Sequence, residues 1–261
     1  MLTREGASKE LFVMNKEGLL PSLTTFLLQE MERFNKLINV VSKSLDTLKK
    51  ALIGEAVMGE DVDRMYNSML NNKVPEMWQF HAYPSLKPLA SWIENLQQRV
   101  EFLKTWLLKG KLPAYWLPAY FFPQGFLTAL LQNYARRYTI PIDVLTFGFE
   151  FQTFYKVEEV DTHPGDGVFF YGFFMESGEV NGNTLSLEDA GPGQKYSVVP
   201  MILFKPKKDH KINERDYLCP LFKTTERAGT LSTTGHSTNF VLMVEVPSRK
   251  APKHWVLRGK D

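Results

Sequence analysis

The stretch GHSTN, Gly235 to Asn239, sets a serine beside a histidine one residue short of a Gly-x-Ser-x-Gly turn. That turn raises a nucleophilic hydroxyl above a sheet, and it needs a closing glycine, a strand before it and a helix after it. Here Asn239 replaces the glycine and the sequence runs directly into the strand-like FVLMVEVP. A hydrolase using Ser237 with His236 or His254 would also lack an acid partner and an oxyanion turn placed by the sequence, so Ser237 is expected in a polar loop whose hydroxyls satisfy backbone groups. The histidines His81, His163, His210, His236 and His254 form no His-x-x-x-His pair. Each is expected as a packed or solvated side chain, and no metal site is expected.

Phosphate chemistry finds no better support. A Gly-x-x-x-x-Gly-Lys-Ser/Thr loop cradles phosphates on its backbone amides, but Gly110-Lys111 is followed by Leu112 and preceded by Thr105 where the first glycine belongs. Gly165 and Gly167 sit in a turn without the Gly-x-Gly-x-x-Gly spacing. The basic tract KPKKDHK, residues 205–211, contains Asp209 and no aromatic on which a base could stack, so it reads as a solvated hairpin tip. By residue chemistry alone the expected catalytic, cofactor-binding and metal-binding sets are empty. The expectation is an interaction or structural module.

Composition agrees with that expectation. In 261 residues, 31 Lys plus Arg face 29 Asp plus Glu, a net charge of +2 that is too balanced to steer the whole molecule onto nucleic acid or acidic lipid. One cysteine, Cys219, excludes an intrachain disulfide and a multi-thiolate zinc site, and fits a reducing compartment. The opening MLTREGASKE has no apolar signal-like run.

Two periodicities divide the sequence. From Ser22 to Ile53, apolar residues at Leu27, Met31, Phe34, Ile38, Val41, Leu45, Leu48 and Leu52 alternate steps of four and three, a heptad seam with Ser22 as a cap and Gly54 as the stop. Shorter helical patterns cover Asp61 to Asn71, Lys87 to Leu108, and a stretch from near Gln124 to Pro141. After Pro141 the pattern becomes short β-branched and aromatic runs, DVLTFGFEF, GVFFYGFFME, NTLSLED, VVPMILFKP, YLCPLFKT, FVLMVEVP and HWVLRG, separated by turn residues. The expected fold is α+β: a helical bundle segment over residues 1–141, followed by an antiparallel β-barrel-like domain over residues 142–261.

Residues 112–135, LPAYWLPAYFFPQGFLTALLQNYA, carry no charge. Some 20 apolar residues suffice to span a bilayer, yet Pro113, Pro118 and Pro123 would each remove a backbone donor there, and Gln124, Gln132 and Asn133 would need partners in hydrocarbon. A buried, proline-broken connector feeding a helix is the better reading, with no membrane span.

In order along nearly the whole sequence, LPSLTTFLLQEMERFN, YPSLKPLASWIENLQQRVEFLKTW, FFPQGFLTALLQNYARRYTIPID, CPLFKTTERAGTLSTTGHSTNF and HWVLRG resemble the C-terminal region of dynein heavy chains, the axonemal branch in particular. The resemblance implies helices bordering the sixth AAA+ module, then a β-barrel-like end that lies across one face of the AAA+ ring. It implies a non-catalytic structural and regulatory role within a minus-end-directed microtubule motor. ATP, magnesium and microtubule contacts would belong to other regions of the full-length protein. The implied partners are AAA+ modules of the same heavy chain and dynein intermediate and light chains, in the cytoplasm and ciliary axoneme, with neither nucleic acid nor membrane. At Pro118 and Ala119 the sequence departs from the small Ser-Gly pair frequent before Phe-Phe-Pro-Gln in that family.

On this reading Trp92, Trp106, Trp116, Phe121 and Phe122 are expected as a structural joint, since large aromatics bury ~150–250 Å² each. Leu27, Phe34, Val41 and Leu48 are the candidate docking seam toward the ring. A free-standing adaptor that recruits a protein partner through its helical face is the competing expectation.

Overall fold

The computed structural model describes residues 1–161, 163–213, 215–225 and 239–258. They form two compact units, Met1–Lys111 and Leu112–Asp261. The change of sequence period at Pro141 and this division fall at different places, because the uncharged run and the helix that begins within it group with the sheets.

The first unit is helical: α1 (Ser22–Leu52), α2 (Glu60–Leu70), α3 (Glu76–Gln79) and α4 (Leu89–Lys109). Helix α1 spans the expected heptad stretch, but Pro21 holds the cap position and Ser22 is a buried first-turn residue. Its far end closes at Gly54, whose φ of +79° lets Glu55 N–H turn back to the carbonyl of Lys50 at 2.9 Å. The seam does not stay inward over its whole length. Leu27, Met31, Phe34 and Leu48 are buried and Ile38 and Val41 half-buried, whereas Leu45 and Leu52 are exposed. A straight helix drifts by about 20° per heptad against a 3.5-residue repeat, so the row Met31, Ile38, Leu45, Leu52 turns outward along α1 while Leu48 of the other row stays buried. The opening residues lie along α1, with the Asn35 side chain bonded to both backbone groups of Leu2 at 2.7 Å and the Thr24 hydroxyl donating to the Leu11 carbonyl.

The second unit carries α5 (Pro123–Tyr138), ten strands and the short helix α6 (Pro252–Val256) among its described residues. One sheet has the order β1 (Ala114–Trp116), β3 (Val168–Tyr171), β8 (Ile202–Lys208), β2 (Leu145–Phe151). The other has the order β10 (Phe240–Pro247), β9 (Asp216–Phe222), β4 (Phe174–Glu176), β7 (Tyr196–Val198), and a ribbon joins β5 (Glu179–Val180) to β6 (Leu187–Glu188). All these ladders are antiparallel except β1 with β3. The strand run GVFFYGFFME is thus two strands in two sheets, divided at Gly172. Its φ is +87°, and a Cβ there would stand 2.5 Å from the Trp116 ring, so only glycine gives both the bend and the close approach. Pro206 is tolerated inside β8 because it lies beyond Phe204, the last residue to face β3.

The expected α+β order, helices first and then antiparallel-rich sheets, is present; among the described residues the strands form open sheets, with no ladder joining β10 to β2 into a closed barrel. Two further expectations are corrected. Residues 254–258, HWVLR, are not a strand; the first three lie in α6, begun by Pro252, whose fixed φ suits a first turn. KPKKDHK is not a hairpin tip, since it leaves β8 in one sheet on the way to β9 in the other.

Candidate functional site

The aromatic residues singled out in the sequence fall in both units. In the helical unit Trp92 is buried between two partners, stacked on Trp78 at 5.9 Å and on Tyr83 at 6.3 Å, with Phe34 against Tyr83 at 6.3 Å. Trp106 is buried against Phe26, 6.4 Å away. The Trp78 indole N–H donates to Ser44 Oγ at 2.8 Å, so α1, α3 and α4 are tied together by rings and by a hydrogen bond. In the sheet unit Trp116 lies over Gly172 and is half-buried, as is Phe121, while Phe122 is 52% exposed. Of the seam residues, Leu27, Phe34 and Leu48 are buried and Val41 is half-buried. The exposed apolar side chains of this region are Leu45, Leu52, Ile53, Val57 and Met58, at the end of α1 and in the loop that follows it.

The stack of the helical unit ends in a cation that sequence periodicity did not reveal. The Arg99 guanidinium carbon lies 3.8 Å from the Tyr83 ring centre, Nε donates to Asn95 Oδ1 at 2.8 Å, and the residue is buried. Burial lowers the Arg99 pKa to about 10, opposed by Tyr83 and by the charge of Glu30. Burial also pushes the Tyr83 phenol up to about 12, with Arg99 pulling the other way. Glu30 is itself enclosed and accepts from Arg33 at 3.1 Å. This packing of opposite charges against stacked rings gives the helical unit a specific core rather than a greasy one.

The sheet unit is organised about Phe204 of β8. Phe170 meets it at 4.6 Å, Phe149 at 4.9 Å, Phe147 at 5.7 Å and Phe173 at 6.4 Å. Phe126 of α5 joins through Phe170 at 5.3 Å and is flanked by Tyr115 and Tyr120, so the uncharged run supplies one wall of this cluster. Ionic groups sit at the strand ends. His210 Nε2 and Glu245 Oε2 are 2.7 Å apart. Asp189, just after β6, is contacted by Lys250, by His254 Nε2 at 2.8 Å and by Arg258 at 3.8 Å. Hydrogen bonds from Lys250 and then His254 hold the Asp189 carboxyl down at about 2. Trp255 of α6, fully buried, donates its indole N–H to Ser248 Oγ at 2.8 Å. By sequence His254 is one of several packed or solvated histidines; the fold brings it to an acid 65 positions away. The one local signal for this cluster is the four-residue spacing of Lys250, His254 and Arg258.

The Ser237–His236 pair lies outside the described residues. Among the described residues no group of three or more His, Cys, Asp or Glu side chains could hold a metal ion, and no helix is long and apolar enough to cross a membrane.

Residues 5–260 match the family described as the C-terminal domain of the dynein heavy chain. The protein is 45% identical over 277 aligned positions to dynein axonemal heavy chain 6 of Homo sapiens, covering 99% of the sequence here and 7% of that relative. It is 44% identical to dynein axonemal heavy chain 1 of Rattus norvegicus, covering 95% of the sequence here and 6% of that relative. It is also 44% identical to dynein axonemal heavy chain 12 of Rattus norvegicus, covering 91% of the sequence here and 8% of that relative. The 261 residues therefore span less than a tenth of the length of these relatives.

Proposed function

Because this protein belongs to the family of C-terminal domains of dynein heavy chains, we propose that it is the non-catalytic structural and regulatory module of an axonemal dynein heavy chain. In this reading it braces the AAA+ ring of an ATP-driven, minus-end-directed microtubule motor and works in the cytoplasm, at the ciliary axoneme. The observation that carries the reading is the family match over residues 5–260. The two aromatic cores fit it physically, since stacked and edge-on rings resist deformation better than a loosely packed aliphatic interior. Its partners in this reading are AAA+ modules of the same heavy chain, with intermediate and light chains in the complex. ATP, magnesium and the microtubule are engaged by other parts of that motor.

In this reading the face offered to the ring is the end of α1 with the loop after it, where Leu52, Ile53, Val57 and Met58, close in sequence, are each exposed. A larger apolar patch on a free surface usually marks a site that a partner covers. Hydrogen exchange in the isolated 261-residue protein and in a complete heavy chain tests the assignment: amides of residues 45–58 are expected to gain protection in the longer protein. Deleting residues 1–261 from the complete motor is expected to change gliding velocity or the coupling of ATPase to movement, and unchanged values of both would overturn the bracing role. Titration of ATP and magnesium into the isolated protein is expected to show no saturable micromolar site; one such site would end the non-catalytic reading.

A further inference from the structure

Between Arg249 and Arg258 the sequence holds five basic residues, Arg249, Lys250, Lys253, His254 and Arg258, and no acidic one. Three of them converge on a single carboxylate. Asp189 Oδ2 takes the Lys250 ammonium, while Oδ1 takes His254 at 2.8 Å and Arg258 at 3.8 Å. The neighbouring acids Asp216 and Glu245 group with His210 instead. The cations do not hold themselves together, because α6 is seated by the fully buried Trp255, whose ring packs 6.2 Å from Tyr217 of β9. Lys250 Nζ is fixed 3.4 Å from His254 Nε2. Lys250 and Arg258 alone bring two fixed positive charges to one carboxylate, a local surplus that a second anion can balance. Beside these cations Val256 and Leu257 are 48% and 78% exposed.

We infer that this face of α6 is a docking surface for an acidic protein segment, whose Asp or Glu side chains add a second carboxylate beside Asp189. The built-in ligand is the guide to the class. A planar, two-oxygen group already divides its oxygens between the ammonium on one side and the imidazole and guanidinium on the other, and a second carboxylate meets the same donors. The exposed Val256 and Leu257 suit the apolar side chains of a peptide better than a free anion. The proposal uses none of the residues at the end of α1, so it stands or falls independently of the bracing role.

Binding of a labelled octaglutamate peptide to the protein, with hydrogen exchange as the footprint, tests the inference. Saturable binding is expected at low salt, weakening about ten-fold by about 0.3 M salt as the charges are screened. Protection should fall on residues 249–258. The double change K250E/R258E should weaken binding about ten-fold or more, K250Q/R258Q less, and K207E, on a different strand, should leave it unchanged. D189N removes the competing carboxylate and, judged where the Trp255 indole N–H signal shows α6 still seated, should tighten binding severalfold. Unchanged exchange across the β9–β10 ladder certifies that each variant is folded. The inference is overturned by absent binding, by a footprint elsewhere, by equal losses in K207E and K250E/R258E, or by weaker binding to D189N. Phosphatidylserine vesicles that bind where the peptide does not would overturn it in favour of a membrane surface.

Discussion

The helical unit buries a guanidinium at the end of its aromatic stack, whereas the Phe204 cluster of the sheet unit is built from neutral rings and the Asp189 and His210 groups sit at strand ends. The difference follows from geometry. Long helices leave gaps between rows of side chains that a planar cation can fill while its methylenes pack like any aliphatic group. The short strands here present alternate residues to a narrow interior, which phenylalanine fills without a polar atom to satisfy. The two cores should therefore respond alike to lost volume and differently to altered charge.

Lost volume gives the largest expected effect. Trp92 and Phe204 are buried and each touches several rings, so Trp92→Ala and Phe204→Ala should each cost ~3–5 kcal/mol of stability. Urea unfolding followed by circular dichroism measures both. A loss below ~1 kcal/mol in one of them would show that its unit relaxes around the cavity, and the equivalence of the cores would fail. Arg99→Ala comes next and has no counterpart around Phe204. It removes a stacked plane and leaves the enclosed Glu30 with one supporting cation fewer, at a cost of about 3 kcal/mol. Arg99→Lys should recover part of that loss but not all, since an ammonium cannot stack on Tyr83. Full recovery would mean that charge alone matters at this position.

The distinction between the cores also marks what could be read in the sequence. Helices α1, α4 and α5 are legible because steps of three and four persist over several turns and stop before Gly54, Gly110 or Pro141, and α2 by its shorter run of the same steps. Strands β2, β9 and β10 were legible as apolar runs between turn residues. Strand β1 was not: three residues between Pro113 and Pro118 carry no period, and their pairing with β3 is made by partners some 55 positions downstream. Helix α6 was misread because HWV is β-prone in isolation, whereas burial of Trp255 and the hydrogen bond to Ser248 decide the matter. The Arg99 stack could be suspected only from an arginine on the apolar stripe of α4. Asp189 with its three cations assembles across more than sixty positions, and no local pattern names the acid.

Alkaline pH separates the units more finely. Burial raises Tyr171 of the sheet unit to about 12, with Glu158 adding to the rise. Its contribution is complete below pH 10 and is lost as pH climbs through 12. Tyr83 behaves the same way, but Arg99 has the opposite sign. Burial holds its folded pKa at about 10, below the ordinary arginine value, so the cost of keeping it charged fades as pH rises above 10 and stability rises there. Tyr171→Phe should flatten the fall of stability between about pH 10 and 12 by on the order of 1 kcal/mol, whereas Arg99→Met should steepen it. An unchanged slope in Arg99→Met would mean that the buried cation is not titrating in this range.

The smallest expected effect is at Asp189. Its folded pKa of about 2 lies below the ordinary 3.8, so protons favour the unfolded state, and the stability it contributes is present above about pH 4 and lost as pH falls through 2. The carboxylate and its cations are all partly exposed, so solvent screens them and the contribution to global stability is below about 1 kcal/mol. A global unfolding measurement is therefore the wrong probe. The Trp255 indole N–H resonance, held by Ser248, reports the seating of α6 directly. From about pH 5 to about pH 2 that resonance should move with a midpoint near 2 in the wild type and stay still in Asp189→Asn, whose spectrum at the upper pH should already resemble the acid limit. A Trp255 signal that is identical in both proteins and indifferent to acid would show that α6 is seated by its tryptophan alone. The Asp189 cluster would then be a surface charge pattern on a helix already fixed in place, with no share in positioning it.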